Sequence, residues 1–547
     1  TETGSKLVKE MLEHDRNHPS IIFWSNGNEG GHNLELDEYF TENDLQHRPV
    51  IHPWENFGGF DTQHYREYNY GIGNYENGRE IVMPTEFLHG QFDGGHGAGL
   101  EDYWEKMWHN PLSAGGFLWD FADQAVVRKD LHDSLDTDKF RGADGILGPH
   151  HEKEGSYFAI KEIWSPIYFE KKEITYFFDG QLNIENRYHF TNTHQCTFSF
   201  ELKNFANKLS FKKAIASPNI LPNAKGSLQL ALPTNWKEYD ALFVTAKGID
   251  GKDIFTWSFP ISKPRELVPK KGISNIYNVS ISLANDNTDS LRLVSVGNTI
   301  YKFNKTNGLL ASVQVNHTNI PFNHGPILCE GTAEADSVIF KQNNKVVTVT
   351  CYYKKKSLIN SLVWTVDEFG FLKMDIHYFP AAYFTNMVGV NFSFPEKEIK
   401  AVEWMGNGPC RVWKNRMKGN QFGIWYKDYN NTETAESWDY PEFKGYHSNM
   451  YWCKFITNNG SFKVYTDTED LFFRLFTPAW KTDQWHNYEP IFPSGDISFM
   501  QGISSIGSKT QRSETTGPMG QKNIFYDYEK DPSRALKMVL YFDFSSK

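Results

Sequence analysis

Two glutamates, Glu29 and Glu86, each follow an apolar run that has the length of a buried strand. Glu29 ends the stretch SIIFWSNGNE, and Glu86 lies near the end of EIVMPTEF. A buried carboxylate is costly unless it faces a polar site, so both side chains are predicted to point into one. Two carboxylates at strand ends suit glycoside hydrolysis, in which one donates a proton to the leaving oxygen and the other acts across the anomeric carbon.

Either glutamate alone could be a helix cap or an ion-pair partner. The neighbouring residues favour a sugar site, because Trp24 and Trp119 lie at strand ends and His89 follows Glu86 by three positions. Aromatic residues also make up 16% of the chain. Their flat rings suit the C–H faces of sugars, although large β-sandwiches use many aromatics in their cores, and that alternative stays open.

The elements that must position these residues alternate between strand and helix over residues 1–166. Apolar runs such as RPVIH and GGFLWDFADQ are separated by helix-like segments. One of these segments, LEDYWEKMWHN, has apolar or aromatic residues at Leu100, Tyr103, Trp104, Met107 and Trp108. This spacing is typical of a helix that packs on one side. Alternating strands and helices predict a parallel α/β barrel, whose chemistry lies at the carboxyl ends of the strands.

Beyond Pro166 the sequence changes to alternating apolar and polar residues, as in QCTFSFELKNF and VVTVTCYY. That period predicts antiparallel strands, and Asn307-Gly308 between two such runs predicts a hairpin. A break rich in Pro and Lys near residue 268 divides this part of the chain. We therefore predict a smaller β-domain at 167–268 and a larger one at 269–547.

Charge and cysteine content narrow the class of protein. The net charge is −11, from 56 Lys and Arg against 67 Asp and Glu, so nucleic acid and anionic membranes are poor partners. No apolar run approaches the roughly 18 to 20 residues that span a bilayer. The five cysteines lie far apart without a CxxC pair, which disfavours a zinc cluster or a disulfide framework and predicts buried apolar roles.

Four stretches together resemble glycoside hydrolase family 2. DRNHPSIIFWSNGNEGG is similar to its acid/base signature, MPTEFLHG to its nucleophile strand and GGFLWDFADQ to its eighth barrel strand. Further on, residues 402–425 resemble the terminal β-sandwich of the β-galactosidase branch. The resemblance implies the C-terminal part of a TIM (β/α)8 barrel, strands 4 to 8, at 1–166, followed by an immunoglobulin-like β-sandwich at 167–268 and a large β-galactosidase-type sandwich at 269–547.

By the same resemblance, Glu29 is the general acid/base and Glu86 the nucleophile of a retaining exo-β-galactosidase. The residues implied to bind substrate are Asn28 at the sugar 2-hydroxyl, His89 at other hydroxyls and Trp119 as the floor of the pocket, together with His64 and Tyr65. The last two lie where the family places a Tyr that hydrogen-bonds the nucleophile.

The resemblance also implies partners and cofactors. Because strand 4 begins near residue 20, an N-terminal segment of the same protein is expected to complete the barrel. No cofactor is needed for the chemistry, but relatives often bind Mg²⁺ or Na⁺ beside the acid/base, and Glu29 is the one candidate contact here. A carbohydrate substrate and a homo-oligomer fit the family. A periplasmic or secreted location is favoured over a cytoplasmic one by the polysaccharide-degrading character of the family.

Two departures keep alternatives open. The loop LHGQFDGGHGAG after the nucleophile differs from the β-galactosidase branch, so it is either a plain flexible loop or an altered subsite with Asp93 and His96. The last Trp is Trp485, and the C-terminal aromatic that some relatives bring to the pocket has no evident counterpart beyond it. A β-glucuronidase, β-mannosidase or exo-glucosaminidase therefore remains an alternative, with a non-catalytic carbohydrate-binding protein less favoured.

Overall fold

The computed structural model describes residues 2–69, 78–91, 96–137, 142–269, 280–286, 290–368, 370–430, 443–478, 490–525 and 531–544. Asp93 of the loop after Glu86 lies outside these ranges. The α-helices in them are α1 Glu2–Asp15, α2 Asp37–Asn43, α3 Leu100–Trp108, α4 Gly155–Ile163 and α5 Pro264–Leu267. Across the described ranges, none of the helices has both the length and the apolar character needed to cross a membrane.

The first part of the chain combines short strands with helices α1 to α4. Its strands are β1 Trp24–Ser25, β2 Val50–Ile51, β3 Asn56–Phe57, β4 Phe60–Asp61, β5 Ile81–Val82, β6 Ala125–Arg128 and β7 Ser134–Thr137. β1 is parallel to β2, and β4 is parallel to β5. Parallel bridges join Val82 to Ser113 and Phe87 to Leu118, so the next segment of chain extends the same sheet. This is the C-terminal part of a TIM barrel, as the sequence predicts.

Helix α3 packs behind the strand that carries Glu86. Leu100, Tyr103 and Met107 are its buried residues, and they lie in one apolar cluster with Phe87 and Ile160. The amphipathic stripe read from the sequence is therefore confirmed. Burial of each large apolar side chain in such a cluster contributes about 1.5 to 3 kcal/mol, which fixes the strand that presents the glutamate.

A β-sandwich with an immunoglobulin-like arrangement follows. Its strands are β8 Ile167–Phe169, β9 Gln181–Asn186, β10 Thr197–Asn204, β11 Leu209–Ile215, β12 Lys225–Gln229, β13 Ala241–Lys247 and β14 Asp253–Pro260. One sheet has the order β11-β10-β13-β14 and the other β12-β9-β8, with antiparallel pairing throughout. Aromatic side chains such as Phe200 and Phe259 fill the space between the sheets.

The terminal region is a large antiparallel sandwich. Its strands are β15 Ile281–Asn285, β16 Leu291–Val296, β17 Thr299–Asn304, β18 Leu310–Val315, β19 Thr318–Ile320, β20 Asn323–Leu328, β21 Ala335–Asn343, β22 Val346–Tyr353, β23 Ile359–Asp367, β24 Leu372–Tyr378, β25 Phe384–Thr385, β26 Val388–Ser393, β27 Ile399–Gly408, β28 Gln421–Asp428, β29 Gly445–His447, β30 Trp452–Thr457, β31 Gly460–Thr466, β32 Phe472–Leu475, β33 Ile497–Gly502, β34 Asn523–Ile524 and β35 Leu536–Asp543. One sheet runs β15-β16-β17-β18-β20-β26-β33-β32-β29 and the facing sheet β21-β22-β23-β24-β35-β31-β30-β27-β28.

The core of this sandwich explains much of the aromatic content of the chain. Trp364, Trp404, Phe322 and Phe542 are buried in a single cluster between its sheets. The predicted hairpin is confirmed, since β17 and β18 pair antiparallel around Gly308. All five cysteines are buried, as predicted, and each lies outside any disulfide.

The terminal sandwich also docks onto the barrel. The backbone N–H of Lys509 donates to the carbonyl of His89 at 2.9 Å, and the Gln511 side chain donates to the carbonyl of Arg66 at 3.0 Å. The N–H of Met519 donates to the Asp102 carboxylate at 2.8 Å. These bonds hold residues 509–519 against the carboxyl ends of the barrel strands.

Candidate active site

The turn after β1 presents Glu29 to solvent. Trp24 anchors the strand, since its ring is buried and its indole N–H donates to Asp44 at 3.0 Å. Gly27 makes the turn possible, because its φ is 82° and a Cβ there would lie 2.5 Å from the Cα of His32. Glu29 itself has a φ of 47°, and its side chain is 44% exposed. A non-glycine residue in this left-handed region is uncommon and often marks a functional position.

Glu86 is buried at the neighbouring strand end and is bonded to Tyr65. The Tyr65 hydroxyl donates a short hydrogen bond to the Glu86 carboxylate. Burial raises the pKa of Tyr65 well above its ordinary value, and the hydrogen bond to Glu86 adds to that shift. Tyr65 therefore remains a protonated donor at physiological pH, and it fixes the orientation of the Glu86 carboxylate.

His64 lies between the two glutamates. Its Nδ1 is 3.0 Å from Oε1 of Glu29 and 3.7 Å from Oε2 of Glu86, and its side chain is 1% exposed. One carboxylate oxygen of each glutamate and one ring nitrogen of His64 all lie within 4.8 Å of one another. Both carboxyl groups thus lie next to the buried imidazole of His64.

The hydrogen bonds around His64 assign its protons. The Thr85 hydroxyl donates to the carbonyl of Thr62 at 3.0 Å, and the same oxygen lies 2.9 Å from Nε2 of His64. Because a hydroxyl has one hydrogen to donate, Thr85 must accept from Nε2–H. A neutral His64 then has an acceptor at Nδ1, so a proton is required between Nδ1 and Glu29. Either Glu29 is protonated or His64 is an imidazolium.

His89 follows Glu86 and is joined to the terminal sandwich. Its Nδ1–H donates to the carbonyl of Gly90 at 2.7 Å, which leaves Nε2 as an acceptor for the Lys509 ammonium at 3.4 Å. Burial and, to a smaller extent, the Lys509 charge lower the pKa of His89 to about 3. His89 is therefore a neutral acceptor, consistent with this tautomer.

Trp119 and two aspartates line the side of the site beyond His89. The Trp119 indole N–H donates to Asp144 at 3.3 Å, and the Trp119 ring centroid lies 6.3 Å from that of His89. The Asp144 carboxyl group is almost fully buried, and burial followed by the charge of Asp120 raises its pKa to about 7. Burial also raises the pKa of Asp120.

The described residues around Glu29 supply few of the oxygen ligands that a Mg²⁺ or Na⁺ would take. These hard cations prefer oxygen ligands, and Mg²⁺ requires a nearly octahedral set. Among the described residues, the cluster with ligand atoms close enough to share an ion is Glu29, His64 and Glu86. Both nitrogens of His64 are already in hydrogen bonds, with Glu29 and Thr85. Two carboxylates alone would then remain to hold the ion.

The sequence-predicted residues meet at one place. Glu29, Glu86, His64 and Tyr65 are in direct contact, and the rings of Tyr65 and His89 lie 5.5 Å apart. Trp119 lies beside His89, while Asn28 is exposed on the turn of Glu29. His96 is fully buried, and its Nε2–H donates to the carbonyl of Asp144, so it supports the site from behind.

Sequence reasoning missed Asp120, Asp144 and Lys509. The two aspartates could have been found, since Asp120 directly follows Trp119 in a strand-end motif and Asp144 lies in the next loop. Nothing in the sequence signals Lys509, which is 420 positions from the His89 that it contacts.

Two protein families match this chain. Residues 2–145 match the family described as Glycosyl hydrolases family 2, TIM barrel domain, and residues 295–489 match Beta galactosidase small chain. The first match contains both Glu29 and Glu86, and the second falls within the terminal sandwich.

Curated relatives carry the name β-galactosidase. The chain is 25% identical to one from Leuconostoc mesenteroides over 350 residues, which is 56% of this chain and 32% of that protein. It is 26% identical to one from Priestia megaterium over 251 residues, covering 41% of this chain and 23% of the relative. The chain thus spans about a third or less of the length of these relatives.

Two solved structures align with the chain at low sequence identity. An exo-chitosanase from Amycolatopsis orientalis, in complex with PNP-β-D-glucosamine, is 10% identical, with 69% of this chain and 52% of that chain covered and a TM-score of 0.26. A galactose 1-epimerase from Lactobacillus acidophilus is 10% identical, with 49% of this chain and 98% of that chain covered and a TM-score of 0.24.

Proposed function

Because the chain belongs to glycoside hydrolase family 2, in its β-galactosidase-like branch, we propose that it is the C-terminal part of a retaining exo-β-glycosidase. The substrate is an oligo- or polysaccharide with a terminal β-D-galactosyl residue. The observation that carries this proposal is the approach of one Glu29 oxygen and one Glu86 oxygen to within 4.8 Å. Retaining enzymes hold their carboxyl groups about 5 to 5.5 Å apart, whereas inverting enzymes leave room for a water between them.

The mechanism is a double displacement. Glu86 attacks the anomeric carbon while Glu29 transfers its proton to the leaving oxygen, so the glycosidic bond breaks and a glycosyl ester forms on Glu86. A water molecule then enters, gives its proton to Glu29 and attacks the same carbon, which releases the sugar and regenerates Glu86. His64 holds the Glu29 proton in place before the first step, and Tyr65 orients Glu86 throughout.

The charges of the site favour a neutral sugar. Glu86 acts as an ionised carboxylate, Asp120 and Asp144 lie on the side of Trp119, and Lys509 is a cation beside His89. The carboxylate of a uronic acid would be repelled by ionised Glu86 and would raise the pKa values of the two aspartates further. A galactoside therefore fits better than a glucuronide. A glucosaminide, whose ammonium would be attracted, is the second candidate.

We also propose that an N-terminal segment of the same protein completes the barrel. Within the described residues, β1 pairs with β2 on one side and has no second strand beside it. Ile22, immediately before β1, is 68% exposed. An open strand edge next to an exposed apolar side chain is an aggregation hazard unless another strand covers it. If this chain alone is monomeric, folded and active on an aryl β-glycoside, the proposal is wrong.

A panel of nitrophenyl β-glycosides tests the function on the complete protein. We expect hydrolysis of the β-galactoside and loss of nearly all activity in Glu29→Gln and Glu86→Gln. Hydrolysis of the β-glucosaminide instead would change the sugar but keep the mechanism. Activity on none of the glycosides would refute the enzyme and leave the carbohydrate-binding alternative. Unchanged activity in Glu86→Gln would refute the assignment of Glu86 as the nucleophile.

A further inference from the structure

A cavity of about 540 Å³ lies next to the carboxylate pair. His64 and Tyr65, which contact the two glutamates, form one side of it. Trp54, Gln63 and Arg66 are among its other lining residues. The cavity thus combines an indole ring with amide and guanidinium groups and with the carboxylates of Glu55 and Glu67, and such a mixed lining suits a sugar.

Trp54 is an unusual residue for an ordinary surface turn. Its side chain is 43% exposed, although tryptophan is a large apolar residue. Its φ of 45° lies in the left-handed region, which is costly for a bulky residue and which Gly or Asn would adopt more easily. A strained backbone that presents an exposed indole is a reason to look for a ligand.

The ring lies beside the turn that carries Glu29. The Glu29 N–H donates to the carbonyl of Pro53 at 3.1 Å, so the residue before Trp54 is bonded to the proton donor. A Cβ on Gly30 would lie 4.0 Å from the Trp54 ring, and the ring meets His64 edge-on with centroids 6.1 Å apart. Glu29 gives its proton to the leaving oxygen of the substrate. A side chain next to Glu29 is therefore placed to contact the leaving group.

We propose that Trp54 is the platform of a leaving-group subsite that binds a second pyranose ring. The natural substrate is then a saccharide whose terminal sugar is β-linked to another sugar, rather than a simple alkyl or aryl glycoside. The C–H face of the second ring stacks on the indole, and Gln63 and Arg66 bond its hydroxyls. This inference rests on the proposed function, since it uses Glu29 as the proton donor.

Two substrates that share the galactosyl group but differ in the leaving group test the subsite. A β-galactosyl disaccharide brings a second ring, whereas β-galactosyl fluoride brings only a fluoride ion. The measured quantity is the ratio of kcat/KM for the disaccharide to kcat/KM for the fluoride, on the complete protein. Trp54→Ala is expected to lower this ratio about tenfold, the effect of losing one stacked ring. Trp54→Phe, which keeps a flat ring, should keep this ratio close to the wild-type value.

Phe177→Ala is the matched control, because Phe177 is 95% exposed and lies in the immunoglobulin-like sandwich. It should leave the ratio at the wild-type value. If Trp54→Ala leaves the ratio within twofold of wild type while the fluoride is still hydrolysed, the subsite is refuted and the proposed function stands. If the wild-type protein hydrolyses neither substrate, the proposed function fails and the subsite fails with it.

Discussion

Nδ1 of His64 lies 3.0 Å from Oε1 of Glu29, while Nε2 of the same ring lies 2.9 Å from the Thr85 hydroxyl oxygen. Since Thr85 donates to Thr62, the imidazole must donate to Thr85 and share a proton with Glu29. A proton therefore lies between this buried ring and the carboxyl group that we assign as the general acid.

His64→Gln tests this arrangement through the leaving group. Glutamine keeps a polar side chain of similar length but cannot hold the shared proton. We expect kcat/KM for galactosides with basic leaving groups to fall about tenfold or more, with a smaller loss for activated leaving groups that need little protonation. The measurement is a series of aryl galactosides of graded leaving-group pKa. An equal loss across the series would mean that His64 has a purely structural role.

Tyr65→Phe tests the orientation of the nucleophile. The variant removes one hydrogen bond to a charged group, and such bonds are worth about 1.5 to 3 kcal/mol. Because the Tyr65 hydroxyl bonds Glu86, we expect kcat to fall on the order of 10- to 100-fold. Steady-state kinetics give the value, and Tyr39→Phe on helix α2, far from Glu86 in the chain, is the control. Wild-type kinetics in Tyr65→Phe would contradict this role.

Lys509→Met tests the contribution of the terminal sandwich. The variant keeps the backbone bond to His89 but removes the ammonium that donates to its Nε2. We expect kcat/KM to fall about tenfold or more, since a charged hydrogen bond to a proposed substrate-binding residue is lost. Lys522→Met, at an exposed position outside the site, should behave as wild type. Equal kinetics in the two variants would exclude Lys509 from sugar binding.

Asp144 should impose a pH dependence on stability. Its pKa is raised to about 7 in the folded protein, mainly by burial, whereas an unfolded Asp titrates near its ordinary value of about 4. Between about pH 4 and 7 the folded protein holds the extra proton, so its free energy of unfolding falls as the pH rises through this window.

The neutral variant Asp144→Asn should remove this dependence. Calorimetry measures the Tm of each protein. We expect the Tm of Asp144→Asn minus that of wild type to become more positive from pH 5 to pH 8. Asp133→Asn, at an exposed position, should show no such trend. A Tm difference that does not change with pH would contradict the buried, protonated state of Asp144.

Much of the fold and the pair of glutamates could be predicted from the sequence. The Glu29 and Glu86 motifs are local, because each glutamate follows the strand that positions it, and the period of the later strands predicts the sandwiches. The resemblance also indicated a Tyr at the nucleophile, and the structure has Tyr65 bonded to Glu86.

The remaining contacts depend on tertiary packing. Lys509 reaches His89 because a segment of the terminal sandwich docks on the barrel, and no local pattern encodes that docking. The position of His64 between two carboxylates likewise depends on three strand ends meeting. Trp54 could have been noticed, since it lies two positions after the strand RPVIH, but its exposure is a property of the folded turn.

Trapping with a 2-fluoro galactosyl fluoride is the most direct test of the central claim, that Glu86 forms a covalent bond to the sugar while Glu29 serves as acid/base. The fluorine slows the second step, so the glycosyl-enzyme accumulates and can be digested and read by mass spectrometry. We predict a single labelled peptide with the sugar on Glu86. A label on Glu29 or on another residue, or turnover by the wild type without any label, would contradict the account.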